Sequence, residues 1–104
     1  MNNSHPFFDY TSADLEKEAI HRLRNLVRSL PSQCQIFREP WNSSTVVCLD
    51  FAKCSDQLNQ LLSDQEPLIQ AIQALGLANT VVFRIGNKLM GWKGIASPKS
   101  SEKG

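Results

Sequence analysis

Thr80-Val81-Val82-Phe83-Arg84-Ile85-Gly86-Asn87-Lys88-Leu89-Met90-Gly91-Trp92-Lys93 is the stretch that decides the fold. A run of β-branched and aromatic residues leads into Gly86-Asn87, and a second run leads away from it. A Gly-Asn pair between two such runs signals a two-residue β-hairpin, because the tight turn needs a positive φ that glycine adopts without strain. Pairing across that turn sets Ile85 against Lys88, Phe83 against Met90 and Val81 against Trp92. Those side chains are expected on one face, beneath the helices. Thr80, Val82, Arg84, Leu89, Gly91 and Lys93 are then expected on the other.

Upstream, residues 33–39 and 45–51 are also rich in β-formers, and Pro40-Trp41-Asn42-Ser43-Ser44 separates them. This spacing predicts a second hairpin with a five-residue loop. Pairing Glu39 with Thr45 places Gln35, Phe37, Val47, Leu49 and Phe51 on the core face. Cys34, Ile36, Arg38, Val46, Cys48 and Asp50 are then expected to face outward.

Three helical segments flank the hairpins. Leu15, Ala19, Leu23, Leu26, Val27 and Leu30 recur at helical spacing and predict an amphipathic helix that Pro31 stops. Thr11 with Asp14 resembles a capping box, and Tyr10 with Leu15 a hydrophobic staple. Ser55 or Asp56 opens a short helix carrying Leu58, Leu61 and Leu62. Asp64 and Pro67 open another, carrying Leu68, Ile69, Ile72 and Leu75. Gly76 supplies a left-handed stop there, with Leu77 folding back on Ile72.

The order is α-β-β-α(α)-β-β. It predicts an α+β fold in two layers, a four-stranded antiparallel sheet with helices packed on one face. Residues 11–96 are expected to form a single domain, with a flexible N-terminal segment at 1–10 and a disordered tail at 97–104. The chain of 104 residues is the size of one domain, and 41% hydrophobic residues suffice for one core.

Composition narrows the function classes only a little. The net charge is +1, although residues 31–79 carry −3 and residues 80–104 carry +4. Residues 1–11 lack a basic and apolar signal, and no apolar run is long enough for a membrane span, so no membrane association is expected. The three cysteines lack close pairs, which argues against a zinc site and for buried free thiols in a reducing cytoplasm.

The catalytic motifs are fragments. Glu18 and His21 form a single Glu-x-x-His, without the further carboxylates that a di-metal site needs. Gly86, Gly91 and Gly94 match neither phosphate-loop nor dinucleotide spacing. No cofactor and no metal are expected, and no enzyme can be assembled.

Two surfaces stand out instead. Ile36, Val46, Val82 and Leu89, with Cys48 among them, make the outward sheet face half apolar, and Trp41 sits at a hairpin tip. Such a face meets a partner, or the tail or the Trp41 loop covers it. Arg84, Lys88 and Lys93, with Trp92 and Lys99, form a basic and aromatic group that suits nucleic acid. The near balance of basic and acidic residues weighs against that second reading. The leading expectation is a small non-enzymatic interaction or regulatory module, with a protein partner or a second copy on the outer sheet face. The alternative is a small nucleic-acid-binding protein using the basic C-terminal hairpin and tail.

Overall fold

Three helices and four strands succeed one another along the chain, which the computed structural model describes over residues 12–42 and 44–96. They are α1 (Ser12–Leu26), β1 (Gln35–Trp41), β2 (Ser44–Asp50), α2 (Leu58–Ser63), α3 (Glu66–Leu75), β3 (Thr80–Ile85) and β4 (Lys88–Gly94). A 3₁₀ turn, Ser55–Gln57, leads into α2. The expected Thr11 cap, the Tyr10 half of the staple, the 1–10 segment and the 97–104 tail lie outside the described residues.

The helices form where the apolar spacing places them, but the expected caps differ: Gln57 and Gln65 stand at the N-caps of α2 and α3, neither with a side-chain cap hydrogen bond, and Asp64 instead ends α2. In α1 Leu23 is fully buried, and Val27 and Leu30 continue the buried stripe past its end. The helix stops at Leu26 and not at Pro31. Arg24 explains the earlier stop: its guanidinium donates to the carbonyls of Pro31 (3.1 Å) and Cys34, which folds the chain back beneath the last turn. Pro67 occupies the first turn of α3, where its missing N–H costs nothing. Gly76 ends that helix at φ 65°, and the Leu77 amide donates to the Ile72 carbonyl at 3.1 Å, as the sequence predicts.

The sheet has the order β1-β2-β3-β4. The outer pairs are antiparallel and the central pair, β2 with β3, is parallel. The α+β class therefore stands, while the expected wholly antiparallel sheet is corrected to a mixed one. The cause is the connection: after β2 the chain crosses through α2 and α3, and re-enters the sheet in its original direction.

Helices pack on one face. Leu23 and Val27 join Leu61, Leu68 and Ile72 over Val47, Leu49, Val81 and Phe83 in one core cluster. Burial of this apolar area, at about 25 cal/mol per Å², is the main source of stability. The opposite face holds a second, smaller cluster of Val46, Cys48 and Val82, with Phe37 packed against it. No described helix residue belongs to that cluster.

Two registers differ from those expected by one residue each. In the first hairpin Trp41 pairs with Ser44 and Glu39 with Val46, so only residues 42 and 43 lie between the strands. Asn42 supplies the positive φ of 56° that so short a connection needs. This offset turns β1 over: Ile36 and Arg38 lie on the helix side, while Gln35 and Phe37 lie on the face that no described helix covers, here the open face. Cys34, also expected outward, is buried in the helix-side core. Pro40 is tolerated inside β1 because Thr45, opposite it, directs both backbone groups away, to Asn79 (3.3 and 3.1 Å).

The second hairpin keeps its expected start, with Ile85 on Lys88 and Arg84 on Leu89. A bulge then interrupts the ladder between Phe83 and Arg84, leaving Met90 as the extra residue, and Phe83 pairs with Gly91 and Val82 with Trp92. Trp92, expected in the core, thus stands on the open face and is 67% exposed. Lys93 and Gly91 move to the helix-side parity. A Cβ on Gly91 would lie 3.9 Å from both Leu62 and Phe83.

Candidate functional site

The open sheet face is a lattice whose rows can be read from the pairings. One row is apolar across all four strands: Phe37, Cys48, Val82 and Trp92. The row on one side holds Glu39, Val46, Thr80 and Gly94; the other holds Gln35, Asp50, Arg84 and Leu89. Trp41 and Ser44 end the lattice at the β1–β2 turn.

Arg84 and Glu39 neutralise one another on this face. Arg84 reaches diagonally over β2 and stands 5.4 Å above the centre of the Phe37 ring, with Glu39 3.6 Å from its guanidinium. Cys48 lies beneath that pair, fully buried. Its thiol is pushed above the ordinary range, first by burial and then by the Glu39 carboxylate, against the opposing pull of Arg84. Asp50 accepts from the amides of Ala52 (2.9 Å) and Gly86 (2.8 Å), and so ties the β3–β4 turn to the end of β2. Trp41 donates its indole N–H to Glu39 at 2.8 Å, which fixes the ring at the hairpin tip.

The residues expected at a protein interface therefore separate into two groups. Val46 and Val82 sit on the open face but are 1% exposed, and Ile36 points to the helix side. Trp41 and Leu89 remain on the open face and exposed. Trp92 joins them. Its outward orientation follows from the bulge, of which a glycine inside a strand, here Gly91, is the sequence sign. Of the basic group, Arg84 is engaged by Glu39, whereas Lys88 and Lys93 take the helix-side parity at the sheet edge. These three cations do not converge on one face.

On the helix side, Arg38 makes a bidentate ion pair with Glu16 of α1 (3.0 and 2.5 Å) and donates to the Leu77 carbonyl at 2.9 Å. One guanidinium thus joins β1, α1 and the loop after α3. The hydrogen bonds from Arg38 hold the Glu16 carboxyl below its ordinary value, against the opposing effect of burial. A carboxyl depressed in the folded state contributes stability above its unfolded pKa of about 4.3, and that contribution is lost as pH falls through the lower folded value. Glu16→Gln is expected to be less stable than the wild type at pH 7 by at most about 1 kcal/mol, since the pair is partly solvated. The two should converge near pH 3 in urea unfolding; a gap unchanged with pH would show that the pair contributes nothing.

Among the described residues no helix is long and apolar enough to cross a membrane, and no cluster of His, Cys, Asp and Glu is arranged to hold a metal ion. Compared with known proteins, the chain matches no protein-family model, no curated protein and no solved structure.

Proposed function

We propose that this chain is a non-enzymatic interaction module that self-associates through the β4 side of its open sheet face. The observation that carries this reading is the pair Trp92 and Leu89, which follow one another on that face and are 67% and 55% exposed. Large apolar side chains held out on a sheet mark a contact surface, and tryptophan is a frequent anchor. A second copy suits this face because its one cation is already matched: Arg84 meets Glu39, while the Asp50 carboxylate is hydrogen-bonded by backbone amides. Two copies related by a two-fold axis then bring together only the Asp50 carboxylates as unpaired like charges, and these stand at the end of β2, held by backbone amides.

Three strands of seven residues and one of six give a face of roughly 19 by 23 Å. That is about half of the ~800 Å² per partner in a stable interface. The association is accordingly weak, with a Kd on the order of 10 μM. The free, buried cysteines suit a reducing compartment such as the cytoplasm. Nucleic acid is the less favoured ligand, because Arg84 is already engaged and Lys88 and Lys93 take the other parity.

Sedimentation velocity over a concentration series tests the proposal. The wild type should pass from monomer to dimer, and Leu89→Ser with Trp92→Ser should remain monomeric with its urea midpoint little changed. A wild type that stays monomeric well above the expected Kd would refute self-association.

A further inference from the structure

The sheet ends on one side at β1, and no described strand pairs with its outer edge. Which of its backbone groups are free follows from the ladder. Thr45 directs its N–H and C=O to Asn79, so Thr45 and its partner Pro40 form a pair without mutual hydrogen bonds. Alternation then turns the N–H and C=O groups of Ile36 and Arg38 outward, as an open template for another strand.

Beside this edge runs a groove. One part, of about 430 Å³, lies between α1 and β1, with Ile20 and Ile36 as apolar floor and Lys17, His21 and Arg24 along the helix. It continues past Arg24 to Cys34, Gln35 and Lys53, where a further 630 Å³ opens. The charge of this groove is one-sided. Glu16 is its lining carboxylate and is engaged by Arg38, while Lys17, Arg24 and Lys53 make no ion pair with any described residue.

We infer that the α1–β1 groove takes an extended acidic segment of a partner protein, added to β1 as a fifth strand. Backbone groups of Ile36 and Arg38 supply the ladder, and every second side chain of the added strand enters the groove. Carboxylates there meet Lys17, Arg24 and Lys53, and an apolar side chain meets Ile20 and Ile36. A second copy of this chain is disfavoured at this edge, because pairing β1 with β1 brings the cationic rims of two α1 helices together. The surface is separate from the Trp92 face, so each proposal can fail alone.

A fluorescein-labelled hexapeptide, acetyl-Glu-Thr-Val-Thr-Asp-Thr-amide, whose Glu, Val and Asp side chains share one face of the strand, is the probe, read by fluorescence anisotropy on the full chain. Binding is expected at low salt and should weaken at least tenfold at 0.5 M NaCl. Lys17→Glu with Lys53→Glu, both exposed positions, should also weaken it at least tenfold while circular dichroism stays unchanged. N-methylation of alternate amides should abolish binding in one phase and spare it in the other, since one set of amides faces β1. Hydrogen exchange should slow at the Ile36 and Arg38 amides on binding. Equal affinity for a Lys-for-acid peptide, equal effects of both N-methyl phases, or no binding at millimolar peptide would overturn the inference. So would exchange protection of the β1 amides that rises with protein concentration without peptide, which would assign the edge to a second copy. Trp92→Ser should leave peptide binding intact.

Discussion

Phe83→Ala is expected to lower the unfolding free energy by about 3–5 kcal/mol, whereas Trp92→Ala should change it by no more than about 0.5 kcal/mol. The contrast follows from parity. Phe83 is fully buried in the helix-side core, among the largest side chains there. Gly91 pairs with it across the sheet, and Leu62 packs from above, so truncation leaves a cavity at the junction of sheet and helices. Trp92 lies past the bulge and presents most of its surface to solvent. Were the hairpin regular, the tryptophan would sit opposite Val81 in the core and its truncation would cost as much as that of Phe83. Urea unfolding of the two variants decides the matter, and similar losses in both would refute the bulged register. Against a total stability of ~5–15 kcal/mol, Phe83→Ala leaves a measurable unfolded population.

Alkylation of Cys34 in the native chain at pH 8 is expected to run about a thousand-fold slower than in the urea-unfolded chain. Cys34, Cys48 and Cys54 are all free and buried. The Cys34 thiol is pushed up to about 12, chiefly by burial and next by Cys54, with Arg24 pulling the other way. The thiolate is the reactive form. At pH 8 roughly one Cys34 in 10⁴ is ionised, against about a quarter of a free thiol of ordinary pKa near 8.5. Burial adds steric protection to this deficit. Maleimide labelling followed by mass-spectrometric quantification of the Cys34 peptide measures the ratio. Labelling of the native chain within tenfold of the unfolded rate would show that Cys34 is accessible and ionised, against the packing described here. Slow labelling also separates these thiols from redox or nucleophilic cysteines, which need a depressed pKa and exposure.

The candidate surfaces were legible in the sequence to differing degrees. Leu89 lies outward as expected, because the hairpin turn constrains its immediate neighbours, whereas Trp41, expected in the loop and either exposed or folded back, ends β1 and is exposed. Val46 and Val82 lie on the expected face, yet they are buried there among Phe37 and Cys48. The β1 edge groove was invisible, since no local pattern states which strand ends a sheet. Its cations, Lys17, Arg24 and Lys53, lie far apart in sequence and meet only after folding.

Local chemistry alone determined much of the architecture. Helical spacing from Leu15 to Val27, the Gly86-Asn87 turn, the Gly76 stop, and the alternation within β2 and β3 each follow from interactions among near neighbours. The parallel pairing of β2 with β3 belongs to the tertiary structure, because it depends on how α2 and α3 cross the sheet to bury Leu61, Leu68 and Ile72. So do the orientations of β1 and of Trp92. Side chains alternate with a period of two, and a single residue gained at Met90 or withdrawn from the first hairpin's loop reverses everything beyond it. Whether that residue is looped out or paired is settled by packing across strands distant in sequence.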